Sequence, residues 1–338
     1  MGNSVFCVKS VEFKDSIRLL NRTSFQEGHL CLEWSASGFE LEFSGDGIAV
    51  YFEKNKTQMP IYIAAFVDGV RRNFAVNSKE VLVIDGLENR RHSFRLLKIT
   101  EPRYCDADPR LFVTEIRLFG EGAEVKAAPV GKNTKISFFG DSITCGYGVL
   151  GKETDDEFFT HQEDVTRSYA FLTAEKLKAD WQIVAVSGQG VVLNSSGERG
   201  YPISQYFEHC SAFLKNQFDH SSWQPQAVVI NIGTNDCNAK ADAGIFRQAA
   251  DRLLSQVRSA YPLAHIVWMF GLMGGSLAEV IRDVVEEKKL SDKNISFLPV
   301  PCISREKNQI GARWHPNVNG QKMAAELLTL HLLKVAEI

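Results

Sequence analysis

Four short segments in the second half of the 338-residue chain carry residue types that together can transfer an acyl group. They are Gly140-Asp141-Ser142-Ile143-Thr144, Val186-Ser187-Gly188-Gln189-Gly190, Ile232-Gly233-Thr234-Asn235-Asp236 and Trp314-His315-Pro316-Asn317. Between them they hold a hydroxyl nucleophile, an imidazole base, a backbone N–H in a glycine turn and a side-chain amide. Acyl transfer needs that set: the base takes the serine proton, and fixed donors face the oxyanion as it develops. Taken singly, each segment also has a plainer reading. Asn235 and Asp236 suit a turn cap, Gly188 and Gly190 suit a tight bend, and His315 ahead of Pro316 suits a helix start. Position argues for the joint reading, because all four fall at strand or helix ends of one region, in a consistent order.

The elements that must position them are visible in the pattern. Ile136 to Phe139 read as a buried strand that stops at Gly140, where the backbone is expected to turn sharply and present Ser142 at the strand's carboxyl edge. Gln182 to Val186, Ala227 to Ile232, Ile266 to Phe270 and Ile295 to Val300 read as further strands. Helices are expected over 165–179 (Tyr169, Leu172 and Leu177 on one side), 242–260 (Ile245, Ala249, Leu253, Val257) and 276–290. A terminal helix from Pro316 is expected to turn Met323, Leu327 and Leu330 inward. Alternating strand and helix predicts a mainly parallel sheet, in which the carboxyl ends of neighbouring strands lie side by side. Residues 149–164 are acidic and irregular and read as a surface insertion.

The first part of the chain has a different texture. Short stretches around Leu30–Trp34, Phe39–Phe43, Ile48–Phe52, Ile61–Val67, Val81–Ile84, Ser93–Ile99 and Leu111–Phe119 alternate or run apolar between turns such as Asp68-Gly69 and Asp85-Gly86. Many short strands at near-regular spacing predict a β-sandwich of jelly-roll type. Gly120 to Thr134 loses all periodicity. The expected organisation is a sandwich over 1–122, a linker over 123–134 and a three-layer α/β/α domain over 135–338.

Composition excludes several classes. Hydrophobic residues make up 44% and charged residues 23%, as in an ordinary globular protein, and a net charge of -3 gives no footprint for nucleic acid or an anionic membrane. No apolar run reaches bilayer-spanning length. The opening Met-Gly-Asn-Ser-Val-Phe-Cys-Val-Lys lacks the basic and apolar regions of a signal peptide, and Phe6 breaks the myristoylation pattern. Seven cysteines (7, 31, 105, 145, 210, 237 and 302) show no paired spacing. The expectation is a cytoplasmic protein with reduced thiols and no zinc site, and Cys145 reads as a small buried residue.

The ordered set GDSIT, SGQG, GTND and WHPN resembles the four blocks of the SGNH/GDSL hydrolases over about 135 to 338. That resemblance implies Ser142 as nucleophile and His315 as general base, with an oxyanion hole made by the Ser142 N–H, the Gly188 N–H and the Asn235 amide. Asp141 and Asp236 are implied as supporting residues. The front region, with Val67-Asp68-Gly69 and His92-Ser-Phe-Arg-Leu-Leu-Lys-Ile-Thr-Glu-Pro102, resembles carbohydrate esterase family 2. Members of that family join a sandwich to an SGNH domain and remove acetyl groups from sugars, often at the 6-hydroxyl. The resemblance implies a serine esterase on an acetylated mono- or oligosaccharide, working through an acyl-serine intermediate without metal or organic cofactor.

One position departs from the family. The Asp that orients the histidine belongs three residues before it, and Ala312 stands there. A Glu or Asp from another loop, or a backbone carbonyl near Arg313 or Trp314, then has to hold Nδ1–H. Trp314 and Tyr201 are candidates for an apolar wall against a sugar ring, with Trp223 and Met273 behind them, and packing of the last loop is the competing reading for Trp314. Two rival functions stand beside the esterase: a lipase or thioesterase on other short acyl esters, and a carbohydrate-binding protein with a decayed site.

Overall fold

The computed structural model describes residues 16–54, 57, 59–102, 110–126, 129–336 and 338. The chain divides into two compact units, Met1–Gly131 and Lys132–Ile338.

The first unit is a sandwich of two antiparallel sheets. Strands β1 (Arg18–Leu20), β4 (Gly38–Gly45), β9 (Arg90–Lys98), β6 (Ile61–Val67) and β7 (Val70–Val76) form one in that order, with β11 (Glu124–Val125) added to β4. The other runs β2 (Ser24–Gln26), β3 (His29–Leu32), β10 (Leu111–Phe119), β5 (Gly47–Lys54) and β8 (Lys79–Ile84). Alternate residues of both sheets, such as Phe39, Leu41 and Phe43 with Ile48, Val50 and Phe52, bury into one core. In β10 the inward set changes phase, Leu111 and Val113 giving way to Ile116 and Leu118, and a bulge between Val113 and Glu115 restores the register. Lys98, within the stretch that resembles family 2, is fully buried, and its ammonium donates to the carbonyls of Glu33, Thr100 and Glu101. It ties the chain at Glu33 to the end of its own strand and is structural.

Two expectations change here. Strand β7 lies outside the expected set and leaves no apolar alternation, because on an edge strand carrying Arg71, Arg72 and Asn73 only Val76 is fully buried. The expected linker is partly sheet, since Glu124 and Val125 pair with Ser44 and Phe43. Cys7 and Cys105 lie outside the described residues.

The second unit carries a parallel sheet in the order β13 (Asp180–Ala185), β12 (Lys135–Gly140), β14 (Ala227–Asn231), β15 (His265–Phe270), β16 (Ile295–Pro299). Strands β13, β14 and β15 are buried at every residue, as a sheet covered on both faces requires. The chain steps from β12 to β13 in one direction, then returns past β12 to β14, β15 and β16. Right-handed crossovers on opposite sides of that reversal put helix α2 (Tyr169–Lys176) on one face and α5 (Ala243–Ala260) and α6 (Ala278–Lys289) on the other. The last helix, α7 (Val318–Val335), packs on α2. The crevice at the reversal lies beyond the carboxyl ends of β13, β12 and β14, the usual ligand position in open α/β sheets.

Two helix faces differ from expectation. In α5 the inward face is Phe246, Ala250, Leu253, Leu254 and Val257, while Ile245 is 56% exposed. In α7 it is Gln321, Ala324, Ala325, Leu328 and Leu332, while Leu330 is 67% exposed. Leucines fall on both faces of α7, Leu328 and Leu332 buried and Leu330 and Leu333 exposed, so they do not fix its phase; small residues face inward where the backbone comes close. Among the described residues no helix is long and apolar enough to cross a membrane.

Candidate active site

Ser142 opens a single helical turn, α1 (Ser142–Cys145), directly beyond β12. The turn is fixed from both ends. Asp141 is its N-cap and accepts from the Ile143 N–H at 3.0 Å, while Gly146, at φ 79°, closes it in the left-handed region. Gly140 works by close approach, since a Cβ there would lie 2.8 Å from the Asn231 carbonyl and 2.9 Å from Thr144 Cβ. Its φ is not positive, so the sharp turn expected at Gly140 is displaced to the residues after it. From behind, the buried Gln321 amide of α7 donates to the Ile143 carbonyl at 2.9 Å and accepts from the Tyr169 N–H at 2.8 Å.

The Ser142 hydroxyl lies 2.9 Å from His315 Nε2, and His315 Nδ1 lies 2.9 Å from the Arg313 carbonyl. A carbonyl can only accept, so Nδ1 carries the proton and Nε2 is left bare to accept from Ser142 Oγ–H. That is the tautomer a general base requires. Arg313 (φ 50°) and Trp314 (φ 61°) are both in the left-handed region, which turns the Arg313 carbonyl back onto the ring two residues later. The stretch is anchored by the Arg313 N–H on the Asp155 carbonyl at 3.0 Å and the Ala312 N–H on the Gly148 carbonyl at 3.1 Å. The Tyr147 ring lies 4.5 Å from the imidazole, centroid to centroid, and stacks on Phe158 at 3.8 Å. Loss of solvent around the imidazole pushes its pKa down to about 4, against the upward pull of its hydrogen bond to the Arg313 carbonyl. The ring is therefore neutral at pH 7.

Donors converge from the neighbouring strands. The Ser142 and Gly188 N–H groups have no acceptor among the described residues. Gly188, at φ 75°, sits on the turn after β13. Asn235, on α4 (Thr234–Asn238) after β14, donates one amide hydrogen to the Gln189 carbonyl at 2.8 Å and the other, at a longer 3.4 Å, to Asp141 Oδ2. Asp236 is fully buried and points away from the imidazole. Its two oxygens accept from the N–H groups of Val191, Val192 and Leu193 at 2.8, 2.8 and 2.9 Å. Burial raises its pKa, and those three hydrogen bonds oppose the rise. A Cβ on Gly190 would come within 2.8 Å of the Asp236 carboxyl carbon, which is why the second glycine of the turn is needed.

Ala312 is fully buried against the 148–151 turn: a Cβ on Gly148 would lie 2.6 Å from its carbonyl, and one on Gly151 would lie 2.5 Å from its Cβ. The space an aspartate would need at 312 is taken by those two glycines. The stretch over 149–164 lies at the surface as expected, with Lys152, Asp156 and Glu157 exposed, but its buried residues Phe158, Thr160, Gln162, Glu163 and Asp164 also pack it beside the site.

Residues 138–323 match the GDSL-like Lipase/Acylhydrolase family, and residues 21–108 match the Carbohydrate esterase 2 N-terminal family. A solved family two carbohydrate esterase from Clostridium thermocellum, in complex with cellohexaose, superposes with a TM-score of 0.87 at 30% identity, covering 94% of this chain and 98% of that one. The chain belongs to carbohydrate esterase family 2. It is 32% identical over 309 residues to the cellulase/esterase CelE of Acetivibrio thermocellus, covering 88% of this chain but only 37% of that protein. It is 25% identical over 321 residues to an acetylxylan esterase / glucomannan deacetylase of Cellvibrio japonicus, covering 88% of this chain and 84% of that one.

Within this family 2 chain the remaining candidates separate. Trp314 is 53% exposed next to His315, with the Arg305 guanidinium 4.5 Å over its ring. Tyr201 offers no face to a sugar: it is 1% exposed, and its hydroxyl pairs with His209. Trp223 sits at the wrong end of the sheet, its Nε1 donating to Ser137 at 3.0 Å near the start of β12. Met273 is half-buried beyond β15, and Cys145 is fully buried. Sequence reading missed Tyr147, Gln321, Gly148 and Gly151; an inward glutamine on an apolar helix was the one signal that pointed to any of them.

Proposed function

We propose that this chain is a serine esterase that removes O-acetyl groups from carbohydrates. The observation that carries the reading is the 2.9 Å approach of Ser142 Oγ to His315 Nε2, with Nδ1 held by a carbonyl and unpaired N–H groups on Ser142 and Gly188. Ser142 Oγ attacks the acetyl carbonyl carbon as its proton passes to His315 Nε2. The carbonyl electron pair moves to oxygen, where the Ser142 and Gly188 N–H groups stabilise it; Asn235, whose amide donates to the Gln189 carbonyl and to Asp141 Oδ2, holds the donor side in place. Collapse breaks the bond to the sugar oxygen, which leaves with the proton from Nε2. Water then attacks the acetyl-serine, gives a proton to Nε2, and acetic acid departs as that proton returns to Ser142 Oγ. Asp141 and Asp236 act by fixing the α1 turn and the 191–193 turn.

The substrate class is supported by the relatives: one acts, by its name, on acetylated xylan and glucomannan, and a solved member holds cellohexaose. Exposed Trp314 beside the base suits a sugar ring face. The test is acetate release from a panel of acetylated xylo-, gluco- and manno-oligosaccharides by wild type and Ser142→Ala. Removing the nucleophile should lower kcat by about 10⁴ or more. A loss below about tenfold would remove Ser142 from the mechanism. A preference for long acyl chains over acetyl would shift the reading to a lipase.

A further inference from the structure

A groove of about 360 Å³ lies between α5 and the chain that follows the Gly188 turn. Its floor is aliphatic, including Val192, Leu193, Ala249 and the 56% exposed Ile245, and Arg199 and Arg252 stand at its rim. Both arginines are exposed. Neither guanidinium has a carboxylate partner among the described residues, although on the same helix Arg247 pairs with Glu287 and Arg258 with Asp292. The neighbouring Asp251 is taken by Lys288 at 2.8 Å, so it does not neutralise Arg252.

The groove opens at the reacting end of the sheet. Gly188 and Val191 are three residues apart, which is at most about 11 Å of chain. Helix α5 begins just after α4, which carries Asn235, so Ile245 and Ala249 lie toward that same end, and Arg252 stands about 14 Å along the helix from its first residue. A sugar residue one or two units from the acetylated one can therefore reach it. Planar guanidinium groups recognise a carboxylate through paired hydrogen bonds, and the aliphatic floor suits the C–H face of a sugar ring. We propose that Arg199 and Arg252 bind the carboxylate of a uronic acid residue, making this chain selective for acetylated acidic saccharides. This rests on the esterase reading of the Ser142 site and names its substrate class more narrowly.

The test uses an acetylated xylo-oligosaccharide with one glucuronosyl branch, its unbranched counterpart, and 4-nitrophenyl acetate, which has no carboxylate and reports on the Ser142 site alone. Wild type should favour the branched substrate in kcat/KM by about tenfold or more at low salt, mainly through KM, with the preference shrinking in 0.5 M NaCl. Arg199→Gln with Arg252→Gln should abolish the preference and leave 4-nitrophenyl acetate hydrolysis unchanged. Calorimetric binding of the deacetylated branched saccharide to Ser142→Ala, lost in the triple variant, reads the groove without turnover. It distinguishes failure of the groove from failure of the esterase assignment. Equal affinity for branched and unbranched saccharides would overturn the proposal, as would a preference that survives loss of both arginines. Displacement of the acidic saccharide by neutral 1-octanol, which has no carboxylate, at equal or higher affinity would also overturn it, assigning the groove to an acyl chain.

Discussion

Asp236 holds three consecutive amides of the 191–193 turn on two carboxylate oxygens, whereas His315 is oriented by a single carbonyl, that of Arg313. The donor side of the site is buried and clamped by a charge. The base side rests on two residues in left-handed backbone, each costing about 1 kcal/mol or more for a residue with a Cβ. The donors must stand ready before charge develops, because dipoles that reorganise during the reaction return little stabilisation. The base needs only a fixed tautomer and a fixed ring direction, and one well-placed acceptor supplies both. The contrast explains how a site without the usual aspartate at 312 can keep a complete proton path.

The largest effect should come from breaking the clamp. Asp236→Asn replaces one acceptor oxygen with an N–H₂ facing backbone N–H groups, at a cost of about 3 kcal/mol in stability. It should also let the Gly188 turn drift, lowering kcat about 100-fold on acetyl esters as for loss of an oxyanion donor. Gly190→Ala, which presses on the same carboxylate, should reproduce the kcat loss. Chemical denaturation and steady-state kinetics check both. An Asp236→Asn protein with wild-type kcat would show that the donor side needs no clamp.

Restoring the aspartate on the base side should fail. Ala312→Asp must place a carboxyl group where Gly148 and Gly151 already touch the Ala312 backbone and Cβ. Overpacking with an unpaired charge should destabilise the protein by about 2–4 kcal/mol and lower kcat, not raise it. A rise in kcat of about tenfold would show that the carbonyl is a poor substitute for the carboxylate.

The two sides also differed in how far the sequence disclosed them. The donor side follows buried strands whose apolar runs end at Gly140, Val186 and Ile232, so Ser142, Gly188 and Asn235 could be placed at one sheet edge from their spacing. The base side is built from main chain, and a carbonyl acceptor leaves no trace in residue identity. The 149–164 stretch read as solvated because it is acidic, yet Asp155 accepts within its own turn from the Lys152 N–H and from Gln162, and its carbonyl anchors Arg313. Glycines 148 and 151 became meaningful only once Ala312 lay against them. Asp236 is expected from the sequence only as a supporting residue, and the contacts through which it supports the site, with three backbone N–H groups, leave no trace in residue identity.

The smallest effect concerns the base alone and carries a sign. His315 must be neutral to accept the Ser142 proton, and its pKa stands at about 4, so kcat/KM should hold from neutral pH down to that region and fall as pH drops through it. The exposed Arg313 charge is one of the causes that lower the value. Arg313→Gln removes that charge and keeps the carbonyl, so the acid limb should move upward by about 0.3–0.5 pH units, and high salt should move the wild-type limb the same way. A fold control is needed. His265, held neutral by burial with a pKa of about 4, takes no proton in the folded state between its ordinary value and pH 4, whereas the unfolded chain does. Stability therefore declines across that window and is regained as pH rises above it. Circular dichroism at each pH separates that loss from titration of the base. A limb at about 6.5 in a folded protein would mean the imidazole is hydrated in solution, and the carbonyl alone would then not suffice to hold the base side in place.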